Sequence, residues 1–490
     1  MTVLQSFRAR TGEPLGAPLV ASTPQQIDAA VQAAAEAFEG WQSSDGATRG
    51  ALLRALAQAL EGDREALVAL ADDETALGTV RLNGELDRTA FQLRRFADIA
   101  ERGVPFAWLD DPAVPGAPPA GHPAMARVQV PLGPVAMFSA SNFPFAFSVP
   151  GGDTASALAA GCSLVIKAHA GHPLTSQRVH GLMQQVLQAL RLPAGLIGMV
   201  QGGGNEVGTQ LIRHPLIAAG AFTGSTRGGA ALQAEANARP RPIPFYGELG
   251  SINPVVALPG ILAAKGAELA ATLAGSISLG CGQFCTSPGV IVVLDDPASD
   301  TFVAALSTAL AGQNPHAMLT TGMRRAFEAG AKALVAAGAR PLVNDLSDGP
   351  APRPFLAQVD AATFIERAAL HDEVFGPAAL VVRATSVAQA VQVLQAVGGS
   401  LTVTLWGVEH DSAEARSLVR GATAIAGRVL FAGVPTGVAV TAAQQHGGPW
   451  PSSTQPMTTS VGDAALNRFL RPVALQDAPV WLTARQGQPC

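Results

Sequence analysis

Charge and cysteine are both scarce in this 490-residue sequence, in which 14% of the residues are charged and four are cysteine. The net charge of −5 gives no electrostatic reason to expect nucleic acid or an anionic membrane as a partner. The sequence contains no run of about 18 or more uncharged apolar residues, so no bilayer span is expected. The N-terminal MTVLQSFRARTGEPLG lacks the apolar core of a secretory signal peptide, so we expect a cytoplasmic protein with reduced cysteines.

Two of the four cysteines lie close together in GCGQFCTSPG, whereas Cys162 and Cys490 are far from them in sequence. A zinc site usually draws on two closely spaced cysteine pairs, or on cysteines with closely spaced histidines, and neither pattern occurs. A disulfide between Cys281 and Cys285 is disfavoured in a reducing cytosol. The remaining interpretations are a packed, inert cysteine and a reactive thiol, and we interpret Cys281 as the inert one.

Hydrophobic residues make up 48% of the sequence, and its length exceeds one simple core, so two or three domains are expected. In TPQQIDAAVQAAAEAFEGW, Thr23 fits a helix N-cap, Pro24 the first helical position and Gln26 a capping box. Helical pattern continues to about Ala100. The proline- and glycine-rich ERGVPFAWLDDPAVPGAPPAGHPAMARVQVPLGP that follows predicts an extended arm.

Short apolar runs then alternate with helical stretches. The runs GPVAMFS, SLVIKA, LIGMVQ and LIAAGAF form a first series, and VIVVL, ATFIE, ALVVRA and LTVTLW belong to a second, from about residue 250 to 430. This alternation predicts βαβ units and two parallel sheets. Active chemistry is expected in the cleft between the two α/β domains. The chain after Leu430 is expected to be irregular, with some strand.

Two glycine-rich turns follow strands of the first series. QGGGNEVG follows LIGMVQ, and AFTGSTRGG places Gly224, Ser225 and Gly229 at a strand-to-helix turn. Small residues there let backbone N–H groups and a helix N-terminus approach a phosphate. Each turn by itself fits a tight turn that requires glycine equally well. Two such turns in one sheet favour a nucleotide.

Polar side chains end three apolar strands. Lys167 ends VIK, at the sheet edge where ligands bind, but it also fits a solvated surface lysine. Asn142 follows GPVAMFSAS and can either donate a hydrogen bond to a developing oxyanion or cap a turn. Glu248 follows PIPFYG and fits a general base or a capping carboxylate. Since His169 and His172 have no third ligand nearby, they do not predict a metal site.

Six motifs occur in order along the chain: SNFP, VIKAHAGHP, FTGST, GELGSINP, GQFCTSPG and DEVFGP. Together they resemble the aldehyde dehydrogenase superfamily, and the resemblance covers nearly the whole chain. It implies an α/β fold with a Rossmann-type NAD(P)-binding domain at 1–107 and 131–246, an α/β catalytic domain at 247–445, and a small oligomerisation arm and tail at 108–130 and 446–490. An arm of this kind leaves edge strands that need a partner, so a homodimer or homotetramer is expected.

The resemblance assigns the chemistry to three residues. Cys285 is the expected nucleophile, because its thiolate can attack an aldehyde carbon. Asn142 and the Cys285 backbone N–H are expected to hold the resulting oxyanion. After hydride passes to the nicotinamide, Glu248 is expected to activate the water that hydrolyses the thioester. Gly282 and Gly289 are expected to give this loop its backbone freedom.

The resemblance also assigns contacts with a nicotinamide dinucleotide. Lys167 matches the lysine that bonds the adenosine ribose, and Ser225 matches a pyrophosphate contact. Glu373 and Phe375 match the pair that positions the nicotinamide ribose. The full set of expected cofactor contacts is Lys167, Gly224, Ser225, Gly229, Leu249, Glu373 and Phe375. No metal is expected.

Two positions depart from the family pattern. Members that prefer NAD commonly carry a glutamate three residues after the lysine, where this chain has Ala170. Without that carboxylate a 2′-phosphate is not repelled, so NADP is favoured, with NAD also accepted. The usual tryptophan before Asn142 is replaced by Ser141, which implies a differently shaped aldehyde tunnel.

The loop before Lys167, GGDTASALAAGCS, also departs from the commoner pattern of the superfamily. Together with KAHAGHP, PIPFYGELGSINP, GQFCTSPG, PTGVAV and HGGPWPSST, it is similar to one branch of the superfamily. Its enzymes oxidise 2-oxoglutarate semialdehyde (2,5-dioxopentanoate) to 2-oxoglutarate. A related NADP-linked branch acting on long-chain aldehydes shares much of this pattern, so a fatty or broad-specificity enzyme is the alternative. Retention of Glu248 favours hydrolysis over acyl transfer to coenzyme A. A relative that keeps the fold only as a non-enzymatic binding protein is disfavoured, because Cys285, Asn142 and Lys167 are intact.

Overall fold

The structure of the chain is a computed structural model that describes residues 3–345 and 349–483; Cys490 lies outside them. The strands are β1 (Val3–Phe7), β2 (Pro14–Val20), β3 (Leu109–Asp111), β4 (Met125–Pro131), β5 (Val135–Phe138), β6 (Leu164–Lys167), β7 (Ile197–Val200), β8 (Ala219–Thr223), β9 (Phe245–Glu248), β10 (Val255–Ala257), β11 (Val290–Leu294), β12 (Arg340–Asn344), β13 (Phe355–Asp360), β14 (Ala378–Ala384), β15 (Ser400–Trp406), β16 (Ala426–Leu430) and β17 (Leu470–Gln476).

The helices of the described residues complete the alternation. The α-helices are α1 (Pro24–Trp41), α2 (Gly46–Gly62), α3 (Arg64–Thr75), α4 (Thr79–Arg102), α5 (Gly152–Ala160), α6 (Pro173–Ala189), α7 (Glu206–Arg213), α8 (Thr226–Asn237), α9 (Pro259–Ser278), α10 (Pro297–Ala311), α11 (Thr321–Ala336), α12 (Ala361–Glu366), α13 (Val387–Val397), α14 (Ala413–Ile425) and α15 (Val480–Thr483). Short 3-10 helices cover Val104–Phe106, Ala194–Leu196, Leu279–Gly282, Ala368–Leu370 and Asp463–Phe469. Among the described helices, none has the length and apolar character that a bilayer crossing requires.

The first α/β sheet is five-stranded and parallel, in the order β7-β6-β5-β8-β9. Its strand order changes direction between β5 and β8, and ligands of such sheets bind in the crevice at that point, beyond the carboxyl ends of the strands. The loop after β5 carries Asn142, β8 leads directly to Gly224 and Ser225, and β9 ends at Glu248. β9 therefore extends this sheet two residues past the expected boundary at residue 246.

The second α/β sheet has seven strands in the order β12-β13-β14-β11-β10-β15-β16. It is parallel except for β12, which pairs antiparallel with β13 at one edge. The sequence prediction was wrong for ATFIE, which forms the helix α12 rather than a strand. Asp360 caps that helix, since its carboxylate accepts a hydrogen bond of 2.8 Å from the Thr363 N–H.

A third sheet joins two segments that are far apart in sequence. β4 lies between β3 and β17, and both pairings are antiparallel. The proline-rich arm and the tail of the chain are therefore hydrogen-bonded to each other, with β3 and β17 as edge strands. An exposed edge strand presents unpaired backbone groups to a further strand.

Two helices show how the sequence sets the local structure. The predicted capping box of α1 is confirmed: the Gln26 N–H donates to Thr23 Oγ1 at 3.2 Å, and the Thr23 N–H donates to Gln26 Oε1 at 2.9 Å. α4 buries Leu82, Leu86 and Leu93 completely, and burial of each leucine contributes about 1.5–3 kcal/mol. Residues 81, 85 and 88 lie on a second face of α4. Arg81 and Glu85 hydrogen-bond to the loop that carries Asn142, and Arg88 interacts electrostatically with Cys285 and Glu248.

Candidate active site

The loop that carries Cys285 begins with an unusual backbone turn. Gly280, Cys281 and Gly282 have φ values of 56°, 60° and 65°, in the left-handed region. A Cβ on Gly282 would overlap the backbone of Gly376, so a side chain cannot be accommodated there. The expectation of backbone freedom at Gly289 was wrong, because its φ is not positive and a Cβ would lie 3.1 Å from the Ile252 carbonyl oxygen.

The two neighbouring cysteines have different surroundings. Cys281 is a free thiol whose side chain is completely buried in the core around the seven-stranded sheet, and burial raises its pKa to about 12. Cys285 is also free, but it is half-buried and lines a cavity. The predicted assignment of Cys281 as the packed cysteine is confirmed by its burial.

Asn253, within GELGSINP, holds the Cys285 loop. Its Nδ2 donates hydrogen bonds of 2.8 Å to the Cys285 carbonyl oxygen and 2.9 Å to that of Ser287. Its Oδ1 accepts a bond of 2.8 Å from the Ser251 hydroxyl, so the amide orientation is fixed by partners on both sides. Asn253 itself has a φ of 53°, a conformation that asparagine tolerates better than most residues.

Helix α4 and the Cys285 loop together fix Asn142. Its Nδ2 donates a bond of 2.9 Å to the Gln283 carbonyl oxygen, two residues before Cys285. Arg81 Nη2 donates 2.6 Å to the Asn142 carbonyl oxygen. Glu85 accepts from the Phe145 N–H at 2.7 Å, in the same loop. The Asn142 amide is therefore held beside the cysteine loop, with its second N–H still available to a ligand.

Glu248 and Cys285 meet at a third residue, His446. The His446 Nε2 lies 3.0 Å from Glu248 Oε1 and 3.6 Å from Cys285 Sγ. The other carboxylate oxygen accepts a hydrogen bond from the Ser460 hydroxyl. Both Glu248 and His446 are buried, so this network is largely shielded from water.

The surroundings move the pKa values of the thiol and the carboxylate apart. Burial raises the pKa of the Cys285 thiol well above its usual value, and the charge of Glu248 raises it further. Burial alone would also raise the pKa of Glu248, but His446 and the hydrogen bonds from His446, Ser460 and Cys285 outweigh it and lower that pKa. These shifts favour a protonated thiol and an ionised carboxylate in this pair.

The ligand atoms of Glu248, Cys285 and His446 lie within 4.8 Å of one another, which is close enough to hold a metal ion. Three protein ligands with an open position are also what a catalytic zinc site presents. Here, however, Glu248 is hydrogen-bonded to both Ser460 and His446. The set is thus organised for proton exchange between its members.

A cavity of about 270 Å³ opens beside Cys285. It is lined by Ser141, Asn142, Thr223, Gly224, Ser225, Glu248, Leu249, Gly250, Cys285, Met323, Ala326, Glu373 and Phe375. The structure thus brings together eight of the ten residues that the sequence assigned to catalysis and cofactor binding. They come from the ends of β5, β8 and β9, from the cysteine loop and from DEVFGP.

The remaining two predicted residues are not in the cavity wall. Lys167 ends β6 at the same sheet edge, where its Nζ donates 2.9 Å to the Gly202 carbonyl oxygen and burial lowers its pKa to about 8. Gly229 is buried in the first turns of α8, and a Cβ there would collide with the Leu249 side chain. Gly229 therefore lets α8 pack against the chain that carries Glu248 and Leu249.

The start of α8 fits the diphosphate of a dinucleotide. Ser225 caps the helix, since its Oγ accepts 3.2 Å from the Gly228 N–H, and both Gly224 and Ser225 line the cavity. A helix N-terminus offers backbone N–H groups and a partial positive charge to an anion. The start of α8 therefore fits a phosphate or diphosphate group bound in this cavity.

The sequence alone did not identify three residues of the site: His446, Asn253 and Ser460. Asn253 and His446 were each part of a quoted motif, but no spacing rule connects His446 with a cysteine 161 residues earlier. Ser460 carried no signal, because serine is common in irregular segments. Only the folded tail brings His446 and Ser460 to Glu248.

A reactive-site thiol, an ionised carboxylate and an amide donor beside a dinucleotide-type cavity define the class of cysteine-dependent dehydrogenases. The comparison with protein families agrees, because residues 4–471 match the model described as the aldehyde dehydrogenase family. The chain belongs to the aldehyde dehydrogenase family, whose members use NAD(P).

Two curated relatives match almost the whole chain. It is 42% identical to alpha-ketoglutaric semialdehyde dehydrogenase 2 of Azospirillum brasilense over 97% of this chain and 91% of the relative. It is 39% identical to an alpha-ketoglutaric semialdehyde dehydrogenase of Acinetobacter baylyi over 97% and 90%. Among solved structures, an apo betaine aldehyde dehydrogenase from Staphylococcus aureus superimposes with a TM-score of 0.82 at 24% identity, covering 98% of this chain and 93% of that one.

Proposed function

We propose that the chain oxidises 2-oxoglutarate semialdehyde, also called alpha-ketoglutaric semialdehyde, to 2-oxoglutarate with NAD(P). The observation that carries the chemistry is the contact of Glu248, His446 and Cys285 at the wall of the cavity. The identity of about two residues in five with two semialdehyde dehydrogenases supports the choice of substrate. A fatty or broad-specificity aldehyde remains the alternative substrate.

The thiol of Cys285 starts the reaction by attack on the aldehyde carbon. Its proton passes to the Glu248–His446 pair, and the negative charge that forms on the aldehyde oxygen is held by the free N–H of Asn142 and the Cys285 backbone N–H. A nicotinamide dinucleotide held by Ser225, Glu373 and Phe375 would supply the hydride acceptor that oxidation of the Cys285 adduct to a thioester requires.

Hydrolysis then regenerates the thiol. After the first proton has passed to solvent, Glu248 takes a proton from a water molecule as that water attacks the thioester carbon. The carbon–sulfur bond then breaks, the carboxylic acid leaves, and Glu248 returns this proton to the departing thiolate. The lowered pKa of Glu248 favours its ionised form, which is the form that can accept this proton. Retention of a carboxylate next to the thiol favours water over coenzyme A as the acyl acceptor.

Initial rates of NAD(P)H formation test the substrate. We expect kcat/KM for 2-oxoglutarate semialdehyde to exceed that for a long-chain aldehyde such as decanal by at least about 100-fold, since a pocket built for a polar acid excludes an acyl chain. Both substrates are measured with the same protein and cofactor. A preference for decanal would assign the chain to the alternative function.

The cofactor preference is proposed to be NADP, on the basis of Ala170. Introduction of a carboxylate by Ala170→Glu should lower kcat/KM for NADP at least about tenfold relative to NAD, because like charges placed together cost several kcal/mol. Ala170→Gln has nearly the same size without the charge and serves as the matched control. An unchanged NADP-to-NAD ratio in Ala170→Glu would show that the 2′-phosphate binds elsewhere.

The proposal includes a cytoplasmic homodimer or homotetramer. Cys162, Cys281 and Cys285 are all free, as expected in a reducing compartment. The edge strands β3 and β17 offer backbone hydrogen-bonding groups to a second copy, and Leu109 on β3 is half exposed.

A further inference from the structure

Arg88 on α4 lies close to the reaction centre. Its guanidinium carbon is 5.7 Å from the centroid of the Phe147 ring, and that ring is 6.5 Å from the ring of His446. His446 in turn contacts Cys285 Sγ, so the rings of Phe147 and His446 lie between Arg88 and the thiol. Arg88 also interacts electrostatically with Cys285, Glu85 and Glu248, and it is not part of the wall of the cofactor cavity.

Two of the three guanidinium nitrogens of Arg88 have no partner within the described part of the chain. Nη1 donates to the Val438 carbonyl oxygen, whereas Nε and Nη2 are buried and unbonded. Among the described residues, no carboxylate lies within ion-pair distance of Arg88. Buried, unsatisfied donors of a cation are costly, so an anionic partner at this place would stabilise them.

The two unbonded groups have the geometry that a carboxylate requires. Nε–H and Nη2–H lie on the same edge of the planar guanidinium and point in parallel, so they can bind both oxygens of one carboxylate. Arg88 is held in place by Val438 and Phe147, and its orientation is thus fixed before a ligand arrives.

Two other arginines near the site, Arg81 and Arg428, also have unbonded guanidinium nitrogens, but in each of them Nη2 already has a partner. Arg428 donates from Nη1 to the Gly437 carbonyl oxygen at 3.1 Å and from Nη2 to that of Pro435 at 2.6 Å. Arg81 is enclosed by two phenylalanine rings, at 4.9 and 4.5 Å, and donates from Nη2 to Asn142. Its unbonded Nε and Nη1 do not lie on the same edge of the guanidinium, so they cannot bind one carboxylate side by side. Arg81 has no electrostatic interaction with Cys285 comparable to that of Arg88.

We propose that Arg88 binds the carboxylate at the far end of the aldehyde substrate through Nε–H and Nη2–H. This inference rests on the proposed function, because that substrate carries a carboxylate four carbon–carbon bonds from its aldehyde carbon. The two ends are roughly 5 Å apart in an extended molecule, so a cation that binds the far carboxylate has to lie near the thiol. Arg88 meets this requirement through its electrostatic interaction with Cys285. Arg88 is then the residue that selects a short anionic aldehyde over a neutral one.

The test compares 2-oxoglutarate semialdehyde with pentanal, a neutral aldehyde of the same chain length. In Arg88→Met we expect the ratio of kcat/KM for the acid to kcat/KM for pentanal to fall about 10- to 100-fold, mostly through KM, because two hydrogen bonds to a charged group are lost. Arg94→Met is the matched control on the same helix, since Arg94 pairs with Glu61 at the surface. Its ratio should equal that of the wild type.

Thermal unfolding measurements show whether each variant folds. If Arg88→Met does not fold, Arg88→Gln is measured in its place. A wild-type ratio in whichever folded variant is measured would overturn the role of Arg88. A wild-type enzyme that already fails to distinguish the acid from pentanal would instead contradict the proposed function, so the two failures are distinguishable.

Discussion

Replacement of Cys285 with alanine is expected to lower kcat/KM at least about 10⁴-fold with every aldehyde, because no other group can form the thioester. NADPH formation with 2-oxoglutarate semialdehyde measures the effect. The cavity should remain intact, since Cys285 is held by backbone contacts through Asn253 rather than by its sulfur. Cofactor affinity is therefore expected to stay near the wild-type value.

Cys281→Ala is the matched control for this variant. Cys281 belongs to the same loop but points into the core, so its removal should reduce stability and leave kcat/KM of the folded protein within a few-fold of the wild type. Activity above about one per cent in Cys285→Ala, or an equal loss in Cys281→Ala, would contradict the assignment of the nucleophile.

Replacement of Glu248 with glutamine is expected to lower steady-state turnover by about 10²- to 10⁴-fold, since the general base for hydrolysis is removed. The thiol can still release its proton to His446, whose Nε2 is 3.6 Å from Sγ. Attack should thus be slowed less than hydrolysis. A stopped-flow trace should show a burst of about one NADPH per active site, followed by a slow phase.

Ser460→Ala provides the control for Glu248→Gln. It keeps the carboxylate and removes only one of the hydrogen bonds that the carboxylate accepts, so turnover should fall about tenfold or less and no burst should appear. If Glu248→Gln showed neither a burst nor a loss of turnover, another group would have to be the base.

Much of the site could be predicted because its parts follow apolar strands. Parallel strands place their carboxyl ends at one sheet edge, so Asn142, Ser225 and Glu248 are expected to meet once the strands are recognised. Cys285 and Glu373 were predicted as site residues because GQFCTSPG and DEVFGP resemble known motifs. In the structure these residues line one cavity.

The parts that escaped prediction depend on tertiary contacts. ATFIE is apolar enough for a strand, but Asp360 caps a helix there. Periodicity in so short a run cannot distinguish a strand from a helix. His446 reaches Glu248 only because the irregular tail returns to β9. Arg88 appears as a helix-surface residue in the sequence, and only packing of α4 beside the cysteine loop buries its unbonded nitrogens.

The most direct test is peptide mass spectrometry of Glu248→Gln after brief reaction with 2-oxoglutarate semialdehyde and NADP. We expect a 2-oxoglutaryl group, in close to one-to-one amount, on the peptide that contains Cys285, with the modification on that residue and not on Cys281. Absence of the acyl group in a variant that has released a burst of NADPH, or its presence on another residue, would contradict the account.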